Sequence, residues 1–260
     1  MPYNLYAFFC SYCGLAFAYL GKYQESQEYL EKSLNFAVKL NNVMDLGISE
    51  MMYGHYYLNK FEAQNLITKF QKSIRYFNLV GDPWFMALCL NNSGYGYYLL
   101  GDLPSALADI QKGYELIKTA NVNMGISMFP LFLSYVYYDL KDFSKAKRLA
   151  EEAMELSIDC DHQIQALSRI FLGRIIASIT ISELSEVEKA ETSILIGIKM
   201  LEELKLRPWL PQSYFYLGEF YHNTGRRDEA LENLGKALSM CREMGIEYWP
   251  DKIQEVLNRL

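Results

Sequence analysis

Histidine and cysteine are few in this 260-residue chain, three and five, and no set of chemistry-bearing side chains falls at the spacing of a known catalytic motif. A phosphate-binding loop needs a glycine-rich turn ending in Gly-Lys-Ser/Thr, and none occurs. Gly94-Tyr95-Gly96 lacks a third glycine and falls in a helical stretch, so it reads as packing. Cys10-Ser11-Tyr12-Cys13 has redox or half-zinc spacing. No strand-like run precedes it and no second pair follows, so two buried soft residues at helical spacing are expected. Cys160-Asp161-His162 reads as a turn opening a helix, with Asp161 as its cap. His55 and His222 stand alone in sequence, and no paired carboxylates or Ser/His/Asp set share a motif spacing. The expectation is a protein that is not an enzyme, with no catalytic residues, no cofactor and no metal.

Binding is then the chemistry to look for, and it depends on the elements that would present it. The chain is 51% hydrophobic and 22% charged, enough apolar residues for a large core and too many for disorder. A net charge of −6 and a pI near 5.2 argue against nucleic acid or an anionic membrane as partner. No apolar run reaches the roughly 18 residues of a membrane span. Met1-Pro2-Tyr3-Asn4-Leu5 gives no basic leader, and five cysteines fit a reducing compartment, so a cytoplasmic location is expected.

Small residues recur at Gly14, Gly54, Gly94 and Ser134, each 40 positions after the last, then at Gly173 and Gly218. Three residues beyond each sits a bulky partner: Phe17, Tyr57, Tyr97, Tyr137, Ile176 and Tyr221. A second small position follows at Ser26, Ala106, Ala146, Ala190 and Ala230, with Leu66 the exception. A third follows at Ser33, Ser73, Gly113, Ala153, Gly197 and Ala237. Within copies the apolar period is three to four residues, the mark of amphipathic helices. Turn signals such as Gly101-Asp102 within copies and Gly81-Asp82-Pro83 between them divide each copy in two. Small residues at helix crossings let one backbone approach another, and one pair alone cannot bury its apolar face, so the pairs must stack.

Leu217-Gly218-x-x-Tyr221 followed by Gly225, Ala230 and Ala237 resembles the tetratricopeptide repeat, as do Gly94-x-x-Tyr97…Ala106…Gly113 and Leu133-Ser134-x-x-Tyr137…Ala146…Ala153. The resemblance implies an all-α, right-handed superhelical solenoid of antiparallel helix pairs. One domain over 1–260 is expected, with pairs over about 3–40, 43–80, 83–120, 123–158, 161–204 and 208–245 and a capping helix over 247–260. The period of about 40 exceeds the usual 34, and copy five carries extra residues around Ser178 to Ser185. Pro130 predicts that the first helix of copy four starts late or kinks. A narrower resemblance, carried by Leu206-Arg207-Pro208, Tyr216 to Ala230 and Met240 to Trp249, is to the repeat tails of bacterial multidomain signalling ATPase and class III nucleotide cyclase proteins.

By the same resemblance, groove positions lie three before, and one and four after, each small anchor. They include His55, Asn91, Tyr95, Tyr98, Tyr135, Tyr138, Arg174 and Glu219, with Asn92 beside Asn91. These are the expected partner-binding residues. Tyrosine offers apolar area with a polar tip, and asparagine can bond a main chain, which suits a protein or peptide ligand. Interhelical packing of the tyrosines is the competing reading. The basic clamp for acidic tails is missing, since Arg174 is the first cation in the set. The implied role is a protein–protein interaction scaffold, the regulatory tail of a larger signalling protein; a sensor for a small molecule or short signalling peptide is the alternative. Residues 1–130 hold 24 aromatics and 19 charges against 14 and 37 in 131–260. The apolar start from Tyr3 to Phe9 is expected to dock on an upstream domain or another subunit, or to fold back on the second copy.

Overall fold

The computed structural model describes residues 4–179 and 184–260. Among them are thirteen α-helices, one 3₁₀ turn (Arg207–Trp209) and no strand. Six helix pairs follow one another: α1 (Leu5–Tyr19) with α2 (Tyr23–Leu40), α3 (Val43–Lys60) with α4 (Ala63–Val80), and α5 (Pro83–Leu99) with α6 (Leu103–Thr119). Then come α7 (Met128–Asp139) and α8 (Phe143–Leu156), α9 (His162–Ile179) and α10 (Leu184–Glu203), and α11 (Leu210–Asn223) and α12 (Arg227–Met244). A last helix, α13, spans Trp249–Leu257. The chain gathers into two compact units that divide between Phe132 and Leu133.

The helix starts follow from single side chains. Asp82, Asp102, Asp142 and Asp161 each accept the backbone N–H three residues on, at 3.0–3.1 Å, satisfying a donor that the first turn leaves unpaired. Pro83 sits in the first turn of α5, where its missing N–H removes no bond. Gly81 ends α4 with φ 71°, a left-handed conformation that a Cβ would strain. Helix α7 begins late, at Met128, with Pro130 inside its first turn. The preceding loop is pinned by Trp84, whose indole N–H donates to the Met124 carbonyl at 3.0 Å.

The recurring small residues sit where helices cross. In the N-terminal unit, a Cβ on Gly94 would lie 2.4 Å from Ile110 and 3.0 Å from the Ala106 carbonyl, and one on Gly54 would meet the Phe70 ring at 2.8 Å. In the C-terminal unit, Gly173 and Gly197 face Ile194 and Ile170 across the α9–α10 crossing in the same way. Serines at the second and third small positions add hydrogen bonds. Ser26 donates to the Gly14 carbonyl at 2.7 Å, and Ser73 to the Gly47 carbonyl at 2.8 Å. Around these contacts the N-terminal core holds Leu30, Leu66, Phe70, Phe77 and Phe129. The C-terminal core holds Phe171, Trp209, Phe220, Leu234 and Ile253.

Helix α13 buries Trp249, Ile253 and Val256 and leaves Asp251, Lys252 and Glu255 exposed, as an amphipathic cap should. One departure from the sequence reading is local. Cys13 is exposed while Cys10 is buried, because three residues turn a helix through about 300° and carry Cys13 off the packed side. Tyr3, and residues 180–183 of the extra stretch in copy five, lie outside the described residues.

Candidate functional site

The C-terminal unit brings three of the expected residues together. Tyr138 ends α7, Arg174 stands in the middle of α9, and Glu219 occupies the matching level of α11. Arg174 donates through Nε and Nη2 to one oxygen of Glu219, at 3.0 and 2.9 Å. The guanidinium carbon lies 4.6 Å from the Tyr138 ring centroid and 4.1 Å from that of Tyr216. A planar cation between two aromatic rings, tied to a carboxylate, is fixed in place by stacking as well as by charge. The pair is mostly buried, with side-chain exposures of 16% and 24%, so solvent screens it less than a surface pair.

Neighbouring groups complete the wall. Tyr138 and Ser178 share a hydrogen bond at 2.9 Å, and Ser178 also donates to the Arg174 carbonyl at 3.0 Å. Gln212 donates to the Tyr216 hydroxyl at 2.7 Å from one turn earlier in α11. Burial pushes the Tyr216 phenol well above its ordinary pKa, with Arg174 pulling the other way, so the ring stays neutral. Tyr138, Arg174, Ser178, Tyr216, Glu219 and Asn223 line a small half-open cavity of about 30 Å³. A second, wide cleft of about 470 Å³ on the same unit is lined by Arg169, Glu188, Lys189, Thr192 and Ser193. Lys189 is already paired there with Glu186.

The other expected residues occupy different surroundings. Tyr135 is 1% exposed and packs on the Phe171 ring at 4.1 Å. In the N-terminal unit Tyr95 is fully buried and stacks on Phe132 at 4.4 Å, and Tyr98 stacks on Tyr95 at 5.7 Å. Asn91 and Asn92 are buried on α5. Asn92 donates to the Leu88 carbonyl at 2.8 Å, whereas both amide atoms of Asn91 lack a hydrogen-bond partner. His55 meets the Phe70 ring edge-on at 5.3 Å, and burial lowers its pKa to about 4, so it is neutral at physiological pH. Tyr216, Ser178 and Asn223 were missed by the groove rule. Ser178 and Asn223 each lie five residues after their anchors Gly173 and Gly218, an offset that would have found them.

Among the described residues no group of three His, Cys, Asp or Glu side chains could hold a metal. Nor is any helix long and apolar enough to cross a membrane. The free thiols are dispersed, and burial pushes those of Cys89 and Cys241 up to about 12, far from a reactive thiolate.

Residues 211–244 match the tetratricopeptide repeat family. No curated protein matches the chain. Several solved structures do. The apo form of RapI aligns with a TM-score of 0.70 at 13% identity, covering 94% of this chain and 86% of that one. The Rap conjugation gene regulator of plasmid pLS20, in complex with the Phr* peptide, aligns at 0.68 and 15% identity, covering 96% and 76%. A signal transduction ATPase with numerous domains from Pyrococcus horikoshii, with a tetratricopeptide repeat sensor, aligns at 0.53 and 20% identity over all of this chain and 39% of that one. At these identities the likeness is one of fold: an all-α stack of helix pairs of the tetratricopeptide kind.

Proposed function

We propose that this chain is a non-catalytic module that binds a peptide segment of a partner protein, with the Arg174 cavity as the anchor for one ligand side chain. The cavity carries the reading. Its volume of about 30 Å³ is far below the 300–1,000 Å³ typical of small-molecule sites, and it is open on one side. That size admits only the tip of one ligand side chain and leaves the rest of the ligand to run out along the surface. The rings of Tyr138 and Tyr216 supply apolar contact area. Glu219 uses only one oxygen on Arg174, which leaves the other to accept from a ligand N–H, and the Asn223 amide can bond a main chain. The peptide complex of the pLS20 regulator supports this reading through a shared fold. The alignment with a sensor of the Pyrococcus ATPase supports placement within a larger signalling protein. The uncharged outer face of α1 is open for docking to an upstream domain or another subunit.

The test is selection from a random peptide display library on wild-type protein, followed by titration of the enriched peptides against Arg174→Gln. Enriched peptides should lose tenfold or more in affinity, while helix content stays at the wild-type level. Peptides that bind Arg174→Gln equally well would refute the anchor. Failure to enrich any sequence would turn the assignment toward a small ligand.

A further inference from the structure

The hydrogen-bonding polarity of the Arg174 cavity follows from where its protons go. Ser178 donates its single hydroxyl proton to the Arg174 carbonyl at 3.0 Å. The bond it shares with Tyr138 at 2.9 Å must then run from the phenol to the serine oxygen, since serine has no second proton to give. Tyr138 has thereby spent its own proton, and its oxygen keeps lone pairs with which to accept. Glu219 meets Arg174 through Oε2 alone, so Oε1 is a second acceptor. The Tyr216 hydroxyl is held back along α11 by Gln212, at 2.7 Å, and that residue offers the cavity its ring. Two acceptors, one from α7 and one from α11, thus flank a stacked guanidinium. What they call for is a donor with two protons.

Few side-chain tips meet that demand. A carboxylate would set further acceptors against the two already there. A hydroxyl has one proton and leaves one acceptor unserved. An ammonium or guanidinium has protons enough, but Arg174 already neutralises Glu219 at 2.9 Å, so a second cation would lose its water without gaining a counter-charge. A main-chain N–H has one proton and cannot follow into about 30 Å³, the room of a single water-sized group. A primary carboxamide is neutral and donates two hydrogen bonds from one water-sized nitrogen. Its oxygen stays at the mouth, where Asn223 is exposed and can donate to it. We infer that the cavity selects a glutamine or asparagine side chain of the bound peptide, its amide nitrogen shared between Glu219 Oε1 and Tyr138 Oη. Resting on the peptide reading of the same site, this selectivity names the residue that the anchor holds.

Peptides enriched on the wild-type protein provide the test. They should share one Gln or Asn. A synthetic enriched peptide should lose tenfold or more in affinity when that residue is changed to Glu, Lys or Leu. Tyr138→Phe keeps the ring and removes one acceptor, so it should weaken the amide peptide about fivefold and leave the Leu-substituted peptide unchanged. Glu219→Gln leaves the Arg174 charge unanswered and should reverse the preference, so that the Glu-substituted peptide binds more tightly than its parent. Both variants should match wild type in circular dichroism. Peptides that enrich and depend on Arg174, yet share a residue of another kind in place of the amide, would overturn the selectivity and leave the anchor standing. A folded Glu219→Gln that keeps the wild-type order of affinities would do the same. So would a Tyr138→Phe that binds the amide peptide as tightly as wild type, whatever the fold of Glu219→Gln. No enrichment of any sequence would overturn both the anchor and its selectivity.

Discussion

Replacing glycine by alanine should have opposite effects at two helical positions of the C-terminal unit. Gly173 lies in α9 at a crossing, where an added Cβ would stand 2.6 Å from Ile194 Cγ1 and 2.7 Å from the Ala190 carbonyl oxygen. Gly235 lies in α12 with nothing within 4 Å of the same atom. Both substitutions gain about 0.8–1 kcal/mol of helix propensity. At Gly235 that gain is unopposed, so Gly235→Ala should raise stability by about 1 kcal/mol. At Gly173 the carbonyl cannot swing away as a side chain could, and overpacking costs about 1–3 kcal/mol. Gly173→Ala should therefore lose up to about 2 kcal/mol, with the larger losses expected because backbone must move. At roughly 2–4 °C per kcal/mol, the two variants should fall on opposite sides of wild type in a thermal scan. Urea midpoints, with the slope checked for constancy, give the same comparison independently. If Gly173→Ala melts at or above Gly235→Ala, close approach is not what holds glycine at the crossings.

Three further outcomes follow from buried groups. Asn91→Leu removes two amide atoms that lack partners, each worth about 1–3 kcal/mol when left unpaired, so it should raise the urea midpoint; a fall would mean that a buried water bonds that amide. His55 has its folded-state pKa lowered from 6.5 to about 4, so on acidification the unfolded chain takes up its proton first. Stability should accordingly fall between about pH 6.5 and 4 and flatten below, and His55→Gln should remove that part of the slope. Native protein should react with a thiol reagent at Cys13 and Cys160 only, and at all five cysteines in denaturant; rapid labelling of Cys89 or Cys241 without denaturant would contradict the packing around them.

The helix pairs were legible because crossings constrain residue size at fixed intervals. Gly14, Gly54 and Gly94 announce their neighbours Leu30, Phe70 and Ile110 through spacing alone. The late start of α7 was legible from Pro130. The site was legible only by helix face. The rule of one residue after the anchor selects Tyr95, Tyr135, Arg174 and Glu219 alike, yet the two tyrosines are covered by Phe132 and Phe171 while the charged pair keeps partial exposure. Spacing states which way a side chain points; whether the next pair covers it depends on tertiary packing, which spacing does not encode. Tyr216 escaped for the same reason, since two residues before Gly218 is not a groove offset, and Arg174 reaches it only by stacking.

Tyr214 and Tyr221, two turns apart on α11, each donate to a carboxylate on α10, Glu202 at 2.6 Å and Glu191 at 2.8 Å. Each arrangement is finished by a cation from α12 or its start: Lys236 donates to the Tyr214 hydroxyl, and Arg226 to Glu191 at 2.8 Å. Three helices are thus stitched at two levels. Linear arrays of helix pairs ordinarily lose their end units by local opening long before the whole array melts. For α11 to peel from α10 here, both phenol–carboxylate bonds must break together, so the opening becomes cooperative. The slowest amide hydrogen exchange of the C-terminal unit should then lie in α11.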